Sequence, residues 1–581
     1  MKKTAAGMHR KIWQVRPSQA EAQALSQQLN ISPLLAQVLL NRKLIEIPHA
    51  RSFLSPKLTD LIEPGRMPGL TAAVPRVLQA VAEGEKIAIY GDYDVDGITA
   101  VAILWHLLQM LGTDVDYYIP HRVDEGYGLN DEAVRQLAEA GTQLLITVDC
   151  GITAVRQVAL AQSLGMDVII TDHHQPDPVL PDATAIVHPL LDADYPNPAS
   201  SGAMVAFKLA WGIAEAKKQG GRIPDALRQY LLNATTLAGI GTVADVVDLR
   251  GENRILVGYG LRAVEKSSLI GIRTLVETAQ LAGGEVNSYN VAFKLAPMLN
   301  AAGRMGHARL AVELMTTDNP VRALYIAQYL KEQNRLRQKC QQDIFKQAKA
   351  RILQSGLNHP DRKTIVLADE GWHAGVIGIV ASKVIDAFYR PTIMINTANG
   401  LGQGSGRSIE GFNLYKALAA CGEHLVSFGG HEMAAGLKIE TAKVAAFAEA
   451  FEAYAQAHFG ATELESFLDI EAETRIADFN ERVMKELQSL EPFGQGNPRP
   501  LFATRGVRLI APPRRVGARS DHLQVSIADA SGAVRCIGFG MGPLEKKLVE
   551  SDTFSVAYEP QHNTYNGKTM LQFVLNDIQF E

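Results

Sequence analysis

The chain lacks most of what would place it outside the cell or in a membrane. Its four cysteines, Cys150, Cys340, Cys421 and Cys536, are scattered and form no CxxC pair. That argues against a disulfide framework or a thiol-based zinc site and predicts a reducing cytoplasm. No apolar run reaches the ~18 residues of a membrane span. The basic start, Lys2-Lys3, leads into no apolar h-region, so no secretory signal is expected. Excess positive charge is missing too. The net charge is −5, and binding to nucleic acid would need a local basic surface. What is present is ordinary globular protein, 47% hydrophobic and 20% charged over 581 residues. At about 100–200 residues per domain that length suggests roughly three or four domains.

Against this background one stretch stands out, KIAIYGDYDVDGIT at residues 86–99. Ile87-Ala88-Ile89-Tyr90 reads as a buried strand. Gly91 ends it, Asp92, Asp94 and Asp96 follow at alternate positions, and a helical pattern begins after Gly97. In α/β sheets ligands bind beyond the carboxyl ends of the strands. Carboxylates crowded there raise one another's pKa unless a cation neutralises them, and oxygen-rich clusters suit hard divalent ions. A metal site is one reading. A plain acidic turn is another, since Asp and Gly are common turn residues. A third is the DxDG(T) signature of haloacid-dehalogenase-type phosphatases, which Asp94-Val95-Asp96-Gly97-Ile98-Thr99 resembles and whose first Asp is a nucleophile.

The next segments weigh these readings. The pattern predicts strands over Val115–Ile119, over QLLITVDCG ending on Asp149, and over MDVIITDHH ending on Asp172, His173 and His174. Helices are predicted over about residues 131–140, with Asn130 as N-cap, and 154–164. This alternation predicts a parallel, doubly wound sheet. The strand ends then share one edge, and Asp92, Asp94, Asp96, Asp149, Asp172, His173 and His174 converge there. Several strands ending in metal-type ligands favour a metal centre over a turn.

The remaining segments read as supporting parts. Residues 1–65 are expected to form a helical cap on the main domain at 66–316, with one short helix starting at Ser32-Pro33. Residues 292–315 place Asn300, Arg304 and His307 in a small-residue loop. Gly303 and Gly306 would let it approach a ligand, and Arg is a preferred phosphate clamp. A long helical pattern from Pro320 to about Ser355, polar on all sides in its middle (KEQNRLRQKCQQD), reads as a bridge between domains across 317–358. At ~1.5 Å per residue it would span roughly 50 Å. Residues 359–460 read as a smaller α/β domain. Its glycine-rich loops carry Ser405, Arg407, Ser408 and His431 and could offer N–H groups and a guanidinium to phosphate. Residues 461–581 read as short strands with turns at Asn563 and Asn566-Gly567, a small barrel or sandwich. Five arginines and no acid lie between Arg505 and Arg519. They form a solvated face or, in a barrel, a surface for single-stranded nucleic acid.

GDYDVDG, VDCG and TDHH, in this order and spacing, resemble the first three motifs of the DHH phosphoesterase superfamily. LAGIGTVADVV fits the fourth, which makes Asp245 a further ligand. GWHAGVIGIVASK, GSGRS and GGHEMAAG are similar to the DHHA1 domain that accompanies DHH domains. The haloacid-dehalogenase reading explains none of these later motifs. The order DHH, long linker helix, DHHA1, barrel resembles, from about residue 65 onward, the bacterial RecJ exonucleases, whose barrel is an OB-fold.

The resemblance implies hydrolysis of phosphodiester bonds with two divalent cations, Mn²⁺ or Mg²⁺. It implies digestion of single-stranded DNA from the 5′ end, with release of 5′-mononucleotides, in repair and recombination. Asp94, Asp96, Asp149, His173 and Asp245 would be the metal ligands, with Asp149 bridging. Asp92 and His174 would be catalytic or supporting groups. Arg122, Arg304, His307, His373, Ser405, Arg407, Ser408 and His431 would bind substrate. A single-strand-binding protein and a helicase are the implied partners, and a monomer is expected. Two other classes stay open: a DHH phosphatase for short oligonucleotides, and a non-catalytic single-strand-binding scaffold, against which the intact ligand set argues.

Overall fold

The computed structural model describes residues 11–121, 125–304, 307–461, 464–565 and 568–580. By its internal contacts the chain divides into two units. One is Arg51–Leu336 with Leu490–Pro498; the other is Met1–Ala50, Arg337–Ser489 and Arg499–Glu581.

In the first unit a five-stranded sheet runs in the order Val115–Tyr118, Ile87–Gly91, Leu144–Val148, Asp167–Thr171, Ala185–Val187. Every pairing in it is parallel. Alternate residues feed two cores. Ile87, Ile89, Ile146 and Val148 pack with the helices Leu70–Glu83, Val95–Met110 and Gly202–Ala216. Ala88, Tyr90, Leu145 and Ile170 pack on the other face with Asp131–Glu139 and Val155–Ser163. Burial on both faces explains why these strands read as continuous apolar runs. This is the doubly wound sheet that the sequence predicts.

Two local expectations need correction. Asn300 and Arg304 lie on a helix, Ala296–Arg304, not in a loop. Ala296, Ala301 and Ala302 are strong helix formers, and their small side chains are buried there. Gly303 makes its close approach to the Tyr93 carbonyl, where a Cβ would stand 2.7 Å from the oxygen; Gly306 lies outside the described residues. The helix Pro320–Gln354 is continuous, but its polar middle, residues 331–343, is not solvated on all sides. A buried stripe runs from Ile326 and Leu330 to Ile344 and Ile352 and includes Asn334, Arg337 and Gln341. Arg337 is held partly by Gln341 Oε1, at 2.9 Å.

The second unit contains a five-stranded sheet in the order Ser427–Gly430, Ala434–Glu440, Leu401–Arg407, Thr392–Asn396, Ile365–Asp369. The glycine-rich stretch expected to be a loop is its middle strand. Gly402, Gly404 and Gly406 face Ile395, Leu437 and Leu414, while Gln403, Ser405 and Arg407 line the opposite face. Glycine is depleted in strands, and here its lack of a side chain is what lets neighbouring core residues close in.

A seven-stranded sheet follows, ordered Ala472–Glu473, Phe502–Leu509, Phe554–Tyr565, Lys568–Phe580, Ala533–Gly538, His522–Ala528, Arg514–Val516. Phe502–Leu509 also pairs with His522–Ala528 and closes the barrel. Asn563 is not in a turn but pairs with Met570; Asn566 and Gly567 lie outside the described residues.

Of the segment expected to cap the parallel-sheet domain, the part from Arg51 onward groups with that domain and Met1–Ala50 with the barrel's unit. Lys11–Val15 forms a parallel pair with Ser466–Ile470, and Trp13 Nε1 donates to Asp577 Oδ2 at 2.7 Å. Helix Pro33–Asn41, N-capped by Ser32 as expected, is anchored by Asn41 Nδ2 on Glu471 Oε2 at 2.7 Å and by Ser32 N–H on Glu486 at 2.8 Å. These distant polar partners, invisible to local patterning, assign Met1–Ala50 to the barrel's unit.

Candidate metal centre

Asp92 follows directly on the buried strand Ile87–Gly91, and its own side chain is buried. Asp94 is the N-cap of the helix Val95–Met110, and its Oδ1 accepts the N–H groups of Asp96 (2.9 Å) and Gly97 (3.2 Å). The helix therefore starts before the glycine where the sequence pattern places it, and Asp96 sits in its first turn. Asn300 Oδ1 accepts the Val95 N–H at 3.2 Å and pins the acidic turn from a second helix.

Asp96 is 1% exposed. Its carboxylate accepts the N–H groups of Gly202 and Ala203 (3.0 Å to the latter), the N-terminus of Gly202–Ala216. Helix N-termini favour such anions. Asp149 follows the strand Leu144–Val148 with φ of 60°, a left-handed conformation uncommon outside glycine. Gly202 lets the neighbouring helix approach it, since a Cβ there would lie 2.6 Å from Asp149 Cβ. Asp245 is the C-cap of the helix Asp225–Ala244.

These side chains meet. His173 Nε2 lies 3.1 Å from Asp149 Oδ1, 3.7 Å from Asp96 Oδ2 and 3.6 Å from Asp245 Oδ2. Among the described residues three groups have ligand atoms within 4.8 Å of one another: Asp92, Asp94 and Asp149; Asp96, His173 and Asp245; Asp149, His173 and His174. Every residue predicted to hold a metal thus belongs to one cluster, with Asp149 and His173 shared between groups.

The electrostatics fit a cation. Burial, then the nearby Asp94, pushes Asp96 up to about 7. Burial, then Asp96 and Asp94, pushes Asp245 up to about 9. Asp149 is raised well above the carboxylate range by burial and by its four aspartate neighbours. Burial and His174 lower His173 to about 3, so its imidazole is neutral and able to ligate. Among the described residues Asp245 Oδ2 is buried without a hydrogen-bond partner. An orphaned carboxylate oxygen beside crowded acids and a neutral imidazole is the donor set a hard or borderline divalent ion needs.

Asp172 behaves differently. Burial alone would raise it, but hydrogen bonding to His174 and Ile152 N–H and the nearby histidines hold it at about 2. Its Oδ1 takes His174 Nδ1 at 2.8 Å, and its Oδ2 takes Ile152 N–H at 2.9 Å. It orients His174 and has no oxygen to spare. The sequence reading missed Tyr127, whose hydroxyl lies 3.0 Å from His174 Nδ1 and 3.3 Å from Asp149 O. It also missed His188, whose Nε2 bonds the His174 carbonyl at 2.8 Å. Tyr127 stands in a loop between two glycines and shows no periodic signal.

The predicted substrate-binding residues divide. Arg122 lies outside the described residues. Arg304 ends the helix that pins the acidic turn, and His307 starts the next helix with its ring against Tyr329. In the second unit His373 is the N-cap of Ala374–Phe388, and its Nδ1 accepts Gly375 N–H at 3.1 Å. Gly378 of that helix lies against Ser405 and Arg407, and Arg407 Nη1 reaches Ser405 Oγ at 3.3 Å. His431 sits at the tip of the adjoining hairpin, where Ala434 pairs with Arg407. These four gather at one sheet edge beside a helix N-terminus. Ser408 does not join them, since it is 5% exposed and its hydroxyl donates to Phe412 O at 2.6 Å.

The chain matches the DHH family, N-terminal domain, over residues 86–235, the DHHA1 domain over 361–457, and the RecJ OB domain over 470–577. It is 38% identical over 569 residues to the single-stranded-DNA-specific exonuclease RecJ of Bacillus subtilis, covering 97% of this chain and 70% of that one. The crystal structure of RecJ in complex with Mn²⁺ from Thermus thermophilus superposes with a TM-score of 0.84 at 32% identity, covering 98% of this chain and 80% of that one. The Mg²⁺ complex of the same protein gives 0.78 at 30% identity, covering 98% and 79%. With all three domains matched and this identity along almost its whole length, the chain belongs to the RecJ family.

Proposed function

We propose that the chain is a single-stranded-DNA-specific exonuclease that works from the 5′ end and releases 5′-mononucleotides in DNA repair and recombination. The observation that carries this is the convergence of Asp92, Asp94, Asp96, Asp149, His173 and Asp245, in a chain so similar to enzymes of that name. Mn²⁺ or Mg²⁺ bound there would supply the positive charge that activates a water and stabilises the charge growing on the phosphoryl oxygens.

The protein's own residues supply the rest. Asp94, Asp96, Asp149, His173 and Asp245 would hold the two cations. Asp92 supports the cluster from the end of the central strand. His174, turned by Asp172 at Nδ1 and favoured as the imidazolium because that carboxylate outweighs the opposing effect of burial, has its Nε2–H left to give a proton to the departing 3′-oxygen. Arg304, His307, His373, Ser405, Arg407 and His431 bind phosphates. The barrel arginines Arg508, Arg514 and Arg519, exposed and without ion pairs among the described residues, track the single strand. The enzyme acts in the cytoplasm as a monomer, with a helicase and a single-strand-binding protein presenting its substrate. Among the described residues no helix is long and apolar enough to cross a membrane.

The test is one long single-stranded DNA labelled at either end, beside its duplex, with Mn²⁺, Mg²⁺ or chelator. Metal-dependent release of mononucleotide from the 5′ label, with the duplex spared, is expected. Earlier loss of the 3′ label would discard the polarity. Preference for di- and trinucleotides would indicate an oligonucleotide phosphatase. Binding without turnover under any cation would indicate a scaffold.

A further inference from the structure

The segment Leu490–Pro498 falls within the match to the RecJ OB domain, yet by its contacts it belongs to the parallel-sheet unit. There it lies against the turn that follows Asp245. That turn needs support. Val246, next to Asp245, has φ of 63° and is 64% exposed. A β-branched residue persists in the left-handed region only where its surroundings over-determine the backbone. The buried Oδ2 of Asp245 has no hydrogen-bond partner among the described residues. Its aim therefore depends on the backbone.

Asn253 Nδ2 donates to Asp248 O at 2.9 Å, and further support comes from the segment. Leu249 N–H donates to Gln495 O at 2.8 Å, and the buried Leu249 side chain packs on Gly494. Gly496, at φ of 71°, receives the Asp248 carboxylate against its Cα, where any Cβ would overlap both carboxylate oxygens. The segment is itself tied down. The buried Asn497 donates to Leu490 O at 2.8 Å and Pro492 O at 2.7 Å. Arg254 Nη1 donates to Leu490 O at 2.8 Å, and Ser288 Oγ donates to Phe493 O.

We propose that Leu490–Pro498 is a strap that positions Asp245, so that the Asp96–His173–Asp245 cation site is completed by a segment from the barrel's part of the sequence, while the Asp92–Asp94–Asp149 site is not. Gly496 and Asn497 are then positioning residues that act through Asp245 without touching substrate. The inference rests on the two-cation reading above.

Mn²⁺ binding to the full-length, chelator-stripped protein, followed by the electron-spin-resonance signal of free Mn²⁺, tests it. Wild type is expected to bind two ions. Gly496→Ala should weaken one of them about 10–100-fold, as loss of outer support does at metal sites, and leave the other unchanged. Adding Asp248→Gly, which removes the overlapping carboxylate, should restore part of the loss. Ser288→Ala and Asn497→Ala only remove atoms and decide the matter if Gly496→Ala does not fold. Circular dichroism in chelator should match wild type in each variant compared. Two ions bound as in wild type by all these variants, or equal loss of both ions, would overturn the strap. A wild type that binds no Mn²⁺ would instead overturn the metal reading.

Discussion

Oδ1 of Asp172 and Nδ1 of His174 stand 2.8 Å apart, and the same oxygen accepts the backbone N–H groups of His173 at 2.7 Å and His174 at 3.1 Å. One buried carboxylate thus fixes the turn and the ring. A carboxylate requires Nδ1 to carry the hydrogen, which leaves Nε2 for chemistry. Asp172→Asn keeps the volume but places an amide where an acceptor is needed. The expected result is a kcat about 10–100-fold lower, with KM little changed and circular dichroism unaltered. An unchanged kcat would show that the orientation of His174 is immaterial.

The raised carboxylates make stability depend on pH. Asp96 at about 7 and Asp245 at about 9 both lie above the unfolded carboxylate value, so the cation-free folded protein binds protons more tightly than the unfolded chain. The stability linked to them is complete below about pH 4 and is lost as pH rises through 7 and then 9. In chelator the unfolding temperature should therefore fall between about pH 6 and pH 9. Saturating Mn²⁺ should remove most of that fall, because cation binding displaces the protons. Equal midpoints in chelator at both pH values would refute the assignment.

Removing an acid from the cluster should separate stability from activity. Asp149→Ala takes away a carboxylate that four others repel. It is expected to abolish cleavage and the stabilisation by Mn²⁺, while the unfolding temperature in chelator stays at or above that of wild type. Near-normal turnover in this variant would sink the metal centre.

The barrel and the sheet-edge arginines should give different signatures. Alanine at Arg508, Arg514 or Arg519 should weaken binding of long single strands in chelator and lower the slope of log K against log salt by about 0.7 for each phosphate left without its arginine. Cleavage of a dinucleotide should not change. Arg407→Ala, beside Ser405 and the helix N-terminus, should raise KM on long and short substrates alike. Unchanged salt slopes or an unchanged KM would count against the respective surface.

The metal centre was legible because it obeys a simple geometric rule. A parallel sheet brings its strand ends to one edge, so the positions of Asp92, Asp149, His173 and His174 follow from finding the strands. Asp245 came from a motif and not from any pattern in its own helix. The strand Leu401–Arg407 was hidden because alternate glycines look like a flexible loop when the facing Ile395 and Leu437 are unknown. Tyr127 and the strap share another cause. Their roles lie in contacts with residues far away in sequence, and Leu490–Pro498 carries the glycines and prolines of an ordinary connection.

The pairing of Lys11–Val15 with Ser466–Ile470 also sets a timetable for synthesis. The first strand emerges from the ribosome long before its partner exists. At about 5–20 residues per second the wait is on the order of half a minute to a minute and a half. The parallel sheet, whose strands all lie between Ile87 and Val187, can form during that interval. The amino-terminal arm must stay unpaired meanwhile, an exposed strand that nascent-chain chaperones would have reason to cover.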